Sequence, residues 1–206
     1  SLSEIYAHHV IAHDLNGNVD VDNNGNIKMI SVEPFKIGSL APKANLGWSN
    51  TFSYEGLSLG VVLTARIGGV VYSATQGILD YYGASQVSAD VRDSGGIPVN
   101  YGLLPAEKYY TGISTAQGGY AAYYTYDATN IRLQELTLNY TLPKKWFNDK
   151  MRMTVGFVAR NLAMIYCKAP FDPELSAATG NNYYQGVDYF MLPSTRNLGF
   201  NVKFQF

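Results

Sequence analysis

Hydrophobic and polar residues alternate with a period of two over several stretches of the chain, the signature of strands with one apolar face. Residues 197–206 show it most clearly. Leu198, Phe200, Val202, Phe204 and Phe206 fall on one face, and Asn197, Gly199, Asn201, Lys203 and Gln205 on the other. Residues 44–54 and 57–67 repeat the pattern around Glu55-Gly56, a dipeptide suited to a tight hairpin. In 130–141, Leu136, Leu138 and Tyr140 oppose Glu135, Thr137 and Asn139, and strict alternation places Arg132 on the apolar side. In 151–161, Met151, Met153, Val155, Phe157 and Ala159 oppose Arg152, Thr154 and Arg160. Weaker strands are expected near 5–13 and 26–33, which gives seven in all. No stretch carries a helical period.

The connections alternate in length. Short links follow the strands ending at Tyr54 and Thr141, and long ones, 68–129 and 162–196, follow those ending at Ile67 and Asn161. Outer-membrane barrels show this asymmetry, with short periplasmic turns and long extracellular loops. A cation facing lipid at mid-bilayer costs about 2–4 kcal/mol, so the faces carrying Arg152, Arg160 and Lys203 are expected to look into a lumen. The last strand then runs downward, ending with Phe206 on the periplasmic side. The expected fold class is all-β, a transmembrane antiparallel β-barrel.

Composition supports this reading. Charged residues make up 15% of the 206, aromatics 14%, and 17 residues are Tyr; a typical soluble domain carries about 25% charge. Net charge is −1, which offers no electrostatic footprint for nucleic acid. No apolar run reaches the roughly 18 residues of a transmembrane helix. Cys167 stands alone, so no disulfide framework or cysteine zinc site is expected.

Candidate chemistry is sparse. Asp20-Val21-Asp22-Asn23-Asn24-Gly25 fits the first half of a calcium loop, but Ser31 stands where a bidentate Glu is needed, and a hairpin on Asn24-Gly25 explains the run equally well. His8, His9 and His13 lack a nearby acid to complete a metal site. Asp172 and Glu174 lie in a Pro-rich loop rather than across a sugar-sized gap, and Ser194 has no His partner. No enzyme, metal or cofactor is therefore expected. Tyrosines are the best ligand candidates, because aromatic faces stack on sugar rings and peptide groups. Tyr82, Tyr123 and Tyr124 in the first long loop, and Tyr183 and Tyr184 in the second, are singled out; packing and an interfacial girdle are their competing roles.

Several runs, in order, resemble the C-terminal end of the SusC/RagA family of TonB-dependent outer-membrane transporters. They are N-T-F-S-Y-E-G-L-S-L (50–59), Y-D-A-T-N-I-R-L-Q-E-L (126–136), N-Y-T-L-P (139–143), A-R-N-L (159–162), K-A-P-F-D-P-E (168–174) and P-S-T-R (193–196). The resemblance covers about 42–206. It implies a bacterial outer-membrane location and a large barrel of about 22 strands. It also implies an N-terminal plug and TonB box that reach the energising complex, and a SusD-like surface lipoprotein as partner. The cargo would be oligosaccharides or peptides. Phe204 and Phe206 would then form a terminal signal for the barrel assembly machinery. Neither a signal peptide nor a plug or TonB box is recognisable in 1–206, so the sequence is expected to be the C-terminal segment of a larger barrel. Two alternatives stay open at this point: a self-contained small structural or adhesive barrel, with an eighth strand inside 68–129, and a soluble carbohydrate-binding sandwich.

Overall fold

A computed structural model describes residues 4–114, 120–148, 150–175 and 186–206. In chain order the strands are β1 (Glu4–Ile11), β2 (Met29–Ser39), β3 (Ala44–Tyr54), β4 (Leu57–Ile67), β5 (Val70–Ser73), β6 (Ile97–Val99), β7 (Gly102–Leu104), β8 (Thr125–Asp127), β9 (Asn130–Thr141), β10 (Arg152–Cys167), β11 (Val187–Asp188) and β12 (Asn197–Gln205). Three helices, α1 (Ala74–Tyr81), α2 (Gln86–Asp93) and α3 (Ala106–Ile113), lie between β5 and β8. The seven long strands β1–β4, β9, β10 and β12 are those the alternation pointed to. The chain divides into two compact units.

One unit is a wall of five antiparallel strands in the order β12-β10-β9-β4-β3. Its register sorts side chains by face across every strand, because residues opposite one another share a face. Phe200, Phe157, Leu138, Leu59 and Phe52 form one such row. Val202, Val155, Tyr140, Leu57 and Tyr54 form the next. The opposite face carries rows such as Asn201, Gly156, Asn139, Ser58 and Ser53. Gly156 sits where two amides converge: a Cβ there would lie 2.3 Å from Asn139 Oδ1 and 2.7 Å from the Asn201 amide. The β3–β4 turn puts both Glu55 (φ 45°) and Gly56 (φ 87°) in the left-handed region, as a type I′ hairpin requires. Leu46, Phe52, Leu198, Phe200 and Phe204 are exposed. A soluble sandwich buries such a face against a second sheet.

Register shifts correct the reading of Arg132. Val62 pairs with Glu135 but Leu63 pairs with Leu133, so Gln134 is an extra residue on β9. Opposite it, Arg160 pairs with Glu135 and Ala163 with Leu133, so Asn161 and Leu162 stand against the single Gln134. This bulge changes the phase of β9: Leu133 joins the apolar face and Arg132 crosses to the polar one beside Thr64. β10 also runs on to Cys167 rather than ending at Asn161.

The other unit contains the β1–β2 ribbon, a small sheet in the order β11-β5-β8, the β6–β7 hairpin and the helices. Its core gathers Ile11, Val19, Val21, Val99, Leu104, Tyr110, Ile113 and Tyr124. The helices within 68–129 were not expected from the sequence. Each is eight residues long, too short for two clear periods, and α1 buries Gly77 and Asp80 rather than an apolar stripe. Two of them start on serine caps, with Gln76 N–H donating to Ser73 Oγ and Ser88 N–H to Ser85 Oγ. Among the described residues no helix is long and apolar enough to cross a membrane.

Candidate functional site

In the wall unit, polar chemistry concentrates on Arg132. The bulge at Gln134 aims its guanidinium at the Pro-rich segment after β10. Its Nη2 lies 2.6 Å from Asp172 Oδ1 and its Nη1 donates to Asp172 Oδ2 at 3.2 Å, a two-pronged pair that matches guanidinium to carboxylate. Nη1 also donates to Asn161 Oδ1 at 2.9 Å, and Glu174 Oε2 stands 3.6 Å from Nη2. Ser194 Oγ donates to Asp172 Oδ2 at 2.5 Å, and Asn161 Nδ2 donates to the Thr195 carbonyl at 3.2 Å. Asn161 adopts φ 50°, a conformation asparagine tolerates better than most residues. Four separate family-like runs therefore meet at one point: 126–136, 159–162, 168–174 and 193–196.

Burial alone would raise the Asp172 carboxyl, but Arg132, Ser194 and the Glu174 N–H outweigh it and hold it below the ordinary carboxylate range. A carboxylate so held accepts hydrogen bonds and does not serve as a general acid. Asp172 and Glu174, considered from sequence as a catalytic pair, both face the same cation. Ser194 is spent on Asp172. A second clamp lies nearby in sequence: Lys168 Nζ donates to Asp127 Oδ2 at 2.8 Å, and Thr129 donates to Asp127 Oδ1 through its N–H and hydroxyl. Burial opposes these contacts, yet together they hold the Asp127 carboxyl down at about 2. On the polar face Arg160 Nε donates to Glu135 at 2.8 Å.

The helical unit holds a cavity of about 470 Å³ lined by Asp80, Tyr81, Tyr82, Arg92, Glu107 and Tyr110 among others. Tyr82 is 78% exposed and meets Tyr81 edge to face, with ring centroids 5.1 Å apart. Arg92 Nη1 donates to the Gly83 carbonyl at 2.8 Å, tying α2 to the turn after α1. Gln76 Nε2 donates to Asp80 Oδ1 at 2.8 Å. Burial pushes the Tyr109 phenol up to about 12 and raises Tyr110 and Tyr124 as well. These phenols are neutral hydrogen-bonding and stacking groups, not bases.

The sequence candidates divide accordingly. Tyr82 lines the cavity and Tyr123 is partly exposed, whereas Tyr124 is 1% exposed and packs in the core. Tyr183 and Tyr184 lie outside the described residues. Phe204 sits on the apolar face opposite Met153, and Phe206 follows β12 fully exposed. The would-be calcium carboxylates are engaged by the protein's own donors: Asp22 Oδ1 accepts the Asn24 and Asn26 N–H groups, and Asp20 accepts Lys28 and Asn100. Among the described residues no group of three or more His, Cys, Asp or Glu could hold a metal. Asp80 and Glu107 also line the cavity, and the sequence does not single them out because the short helices that carry them show no clear helical period.

No family model matches the sequence. The TonB-dependent receptor P3 of Formosa agariphila is 25% identical over 201 residues, covering 93% of this chain and 19% of that protein. The RagAB peptide importer in its closed-closed state superposes with a TM-score of 0.60 at 19% identity, over 98% of this chain and 22% of that one. Its open-open state gives 0.57 at 16% identity, over 99% and 22%. The chain thus spans about a fifth of the length of these proteins. The antiparallel wall and its two-faced register are thus the fold of a segment of the RagAB importer, and the sequence is similar to a segment of a TonB-dependent receptor.

Proposed function

We propose that this segment forms part of the wall of an outer-membrane transporter that imports nutrients by TonB-dependent uptake, together with a SusD-like surface lipoprotein. The observation that carries the reading is the apolar face that runs across all five wall strands, interrupted at Asn50 on β3, with Arg160, Glu135 and Lys203 on the other side. Such a sheet satisfies lipid on one face and a water-filled lumen on the other. Peptide is the first choice of cargo, because the similar solved structures are of a peptide importer; oligosaccharide is the second. The segments 68–129 and 162–196 would lie outside the cell, offering Tyr82, Tyr123, Tyr183 and Tyr184 to cargo or lipoprotein. A plug and TonB box elsewhere in the protein would couple uptake to the energising complex, and Phe204 and Phe206 would present the terminal strand to the barrel assembly machinery.

The test is uptake. Cells carrying the whole transporter should accumulate a labelled peptide mixture, and should stop doing so when the transporter, the lipoprotein or TonB is deleted. Accumulation of labelled oligosaccharides but not peptides would move the cargo to the second class. Fractionation of the protein away from the outer membrane would overturn the reading itself.

A further inference from the structure

The turn between β9 and β10 carries three lysines that hold no carboxylate among the described residues. Leu142 N–H donates to the Met153 carbonyl at 2.9 Å and closes the turn, and a single 3-10 turn, Lys144–Phe147, follows Pro143. Trp146 N–H donates to the Pro143 carbonyl, and Asn148 at φ 51° reverses the chain before Lys150. Lys144, Lys145 and Lys150 are all exposed, and Trp146 is 70% exposed. None of the three lysines forms an ion pair with a described residue, whereas Lys28, Lys36, Arg132, Arg160 and Lys168 each hold a carboxylate. Glu55 is the acid of the neighbouring hairpin, and Asp149 lies outside the described residues. Arg152 belongs to the polar face opposite Gln205 and is not part of the cluster.

The surroundings say what such a cluster meets. The row of Tyr54, Leu57 and Tyr140 lies at this end of the apolar face, so aromatic rings mark the level where the bilayer would end. Lysine stems can lie along that apolar border while their ammonium groups reach phosphate. At the other end of the wall Arg132 lies on Asp172 and Lys168 on Asp127.

We propose that Lys144, Lys145 and Lys150, with Trp146 as the interfacial anchor, bind the phosphate of an anionic phospholipid in the periplasmic leaflet. This rests on the membrane reading above. Cationic side chains gather anionic lipid at a membrane surface, and each contributes severalfold to binding.

The test uses the whole protein in nanodiscs containing phosphatidylglycerol and phosphatidylcholine, with bound lipid read by native mass spectrometry. Lys144→Gln, Lys145→Gln and Lys150→Gln combined should lower retained phosphatidylglycerol about a hundredfold and leave phosphatidylcholine unchanged. The three matching Arg substitutions should retain it. Heat-modifiable migration shows that each variant is folded. Equal retention in the Gln variant overturns the proposal, and so does displacement of the lipid by inorganic phosphate at equal concentration, which would leave only an unspecific anion site. Placement is tested separately. With Cys167 replaced by Ser, Lys145→Cys should react with an impermeant thiol reagent only after the outer membrane is breached. Labelling on intact cells would overturn the membrane orientation rather than the lysine chemistry.

Discussion

Replacing Arg132 by Met removes a charge from a site where its partner has little access to water. The Arg132 and Asp172 side chains are 5% and 11% exposed, so solvent screens the pair weakly. Removing one member of such a buried pair costs about 3–5 kcal/mol, most of it the penalty of leaving the other charge stranded. The loss should be local, because Asp172 also holds the Glu174 N–H and the Ser194 hydroxyl. Hydrogen exchange over 168–175 reads it directly: 3 kcal/mol less protection corresponds to exchange roughly 150-fold faster. Arg160→Gln is the control. Its partner contact is of ordinary length, but Arg160 is 64% exposed, and an exposed pair contributes less than about 1 kcal/mol, or under fivefold in exchange. Acid should reproduce the effect in the unsubstituted protein. The folded Asp172 carboxyl lies below its unfolded value of 3.8, so its contribution is complete above that pH and is lost as pH falls through the lowered folded value. If Arg132→Met changes exchange by no more than Arg160→Gln does, the clamp is not what holds this segment to the wall.

Three further outcomes follow from the wall and the helical unit. Leu138→Arg puts a cation on the apolar face and should cost about 2–4 kcal/mol of barrel stability, read by denaturant unfolding in lipid, whereas the adjacent Thr137→Arg should cost little; equal costs would refute the face assignment. Ser73→Ala removes both the cap of α1 and the donor to buried Asp188 Oδ2 at 2.7 Å, so exchange over 74–81 should reflect a loss of about 2–3 kcal/mol. Deleting Phe206 from the whole protein should lower the amount of heat-modifiable barrel in the outer membrane, and wild-type levels would remove its role as an assembly signal.

The wall was legible because its two faces meet different demands at every second residue, and the register repeats that division across five strands. The helical unit was not. Its segments are short, their caps are single serines, and α1 turns an aspartate inward where Gln76 satisfies it. A rule that looks for apolar stripes passes over such a helix. Tyr124 misled for a related reason. A tyrosine beside an exposed neighbour reads as a loop residue, yet Tyr123 and Tyr124 meet at 75° and only the second ring enters the core.

The Arg132 site lies between these cases. Under strict alternation the arginine stood on the lipid face, where it would be costly. The conflict was itself informative, since a chain avoids that cost either by ending the strand or by changing phase. β9 changes phase with one extra residue, Gln134, and β10 takes up two, Asn161 and Leu162, at the same level. Asn161 then serves twice: its left-handed backbone makes the bulge, and its side-chain amide bridges Arg132 to the Thr195 carbonyl. The irregularity and the clamp are one device. Leu133 and Leu136, three apart yet both on the apolar face, are its trace in the sequence. A strand in which the hydrophobic spacing slips from two to three beside an arginine therefore predicts a bulge and a buried partner for that arginine, and here the partner is Asp172.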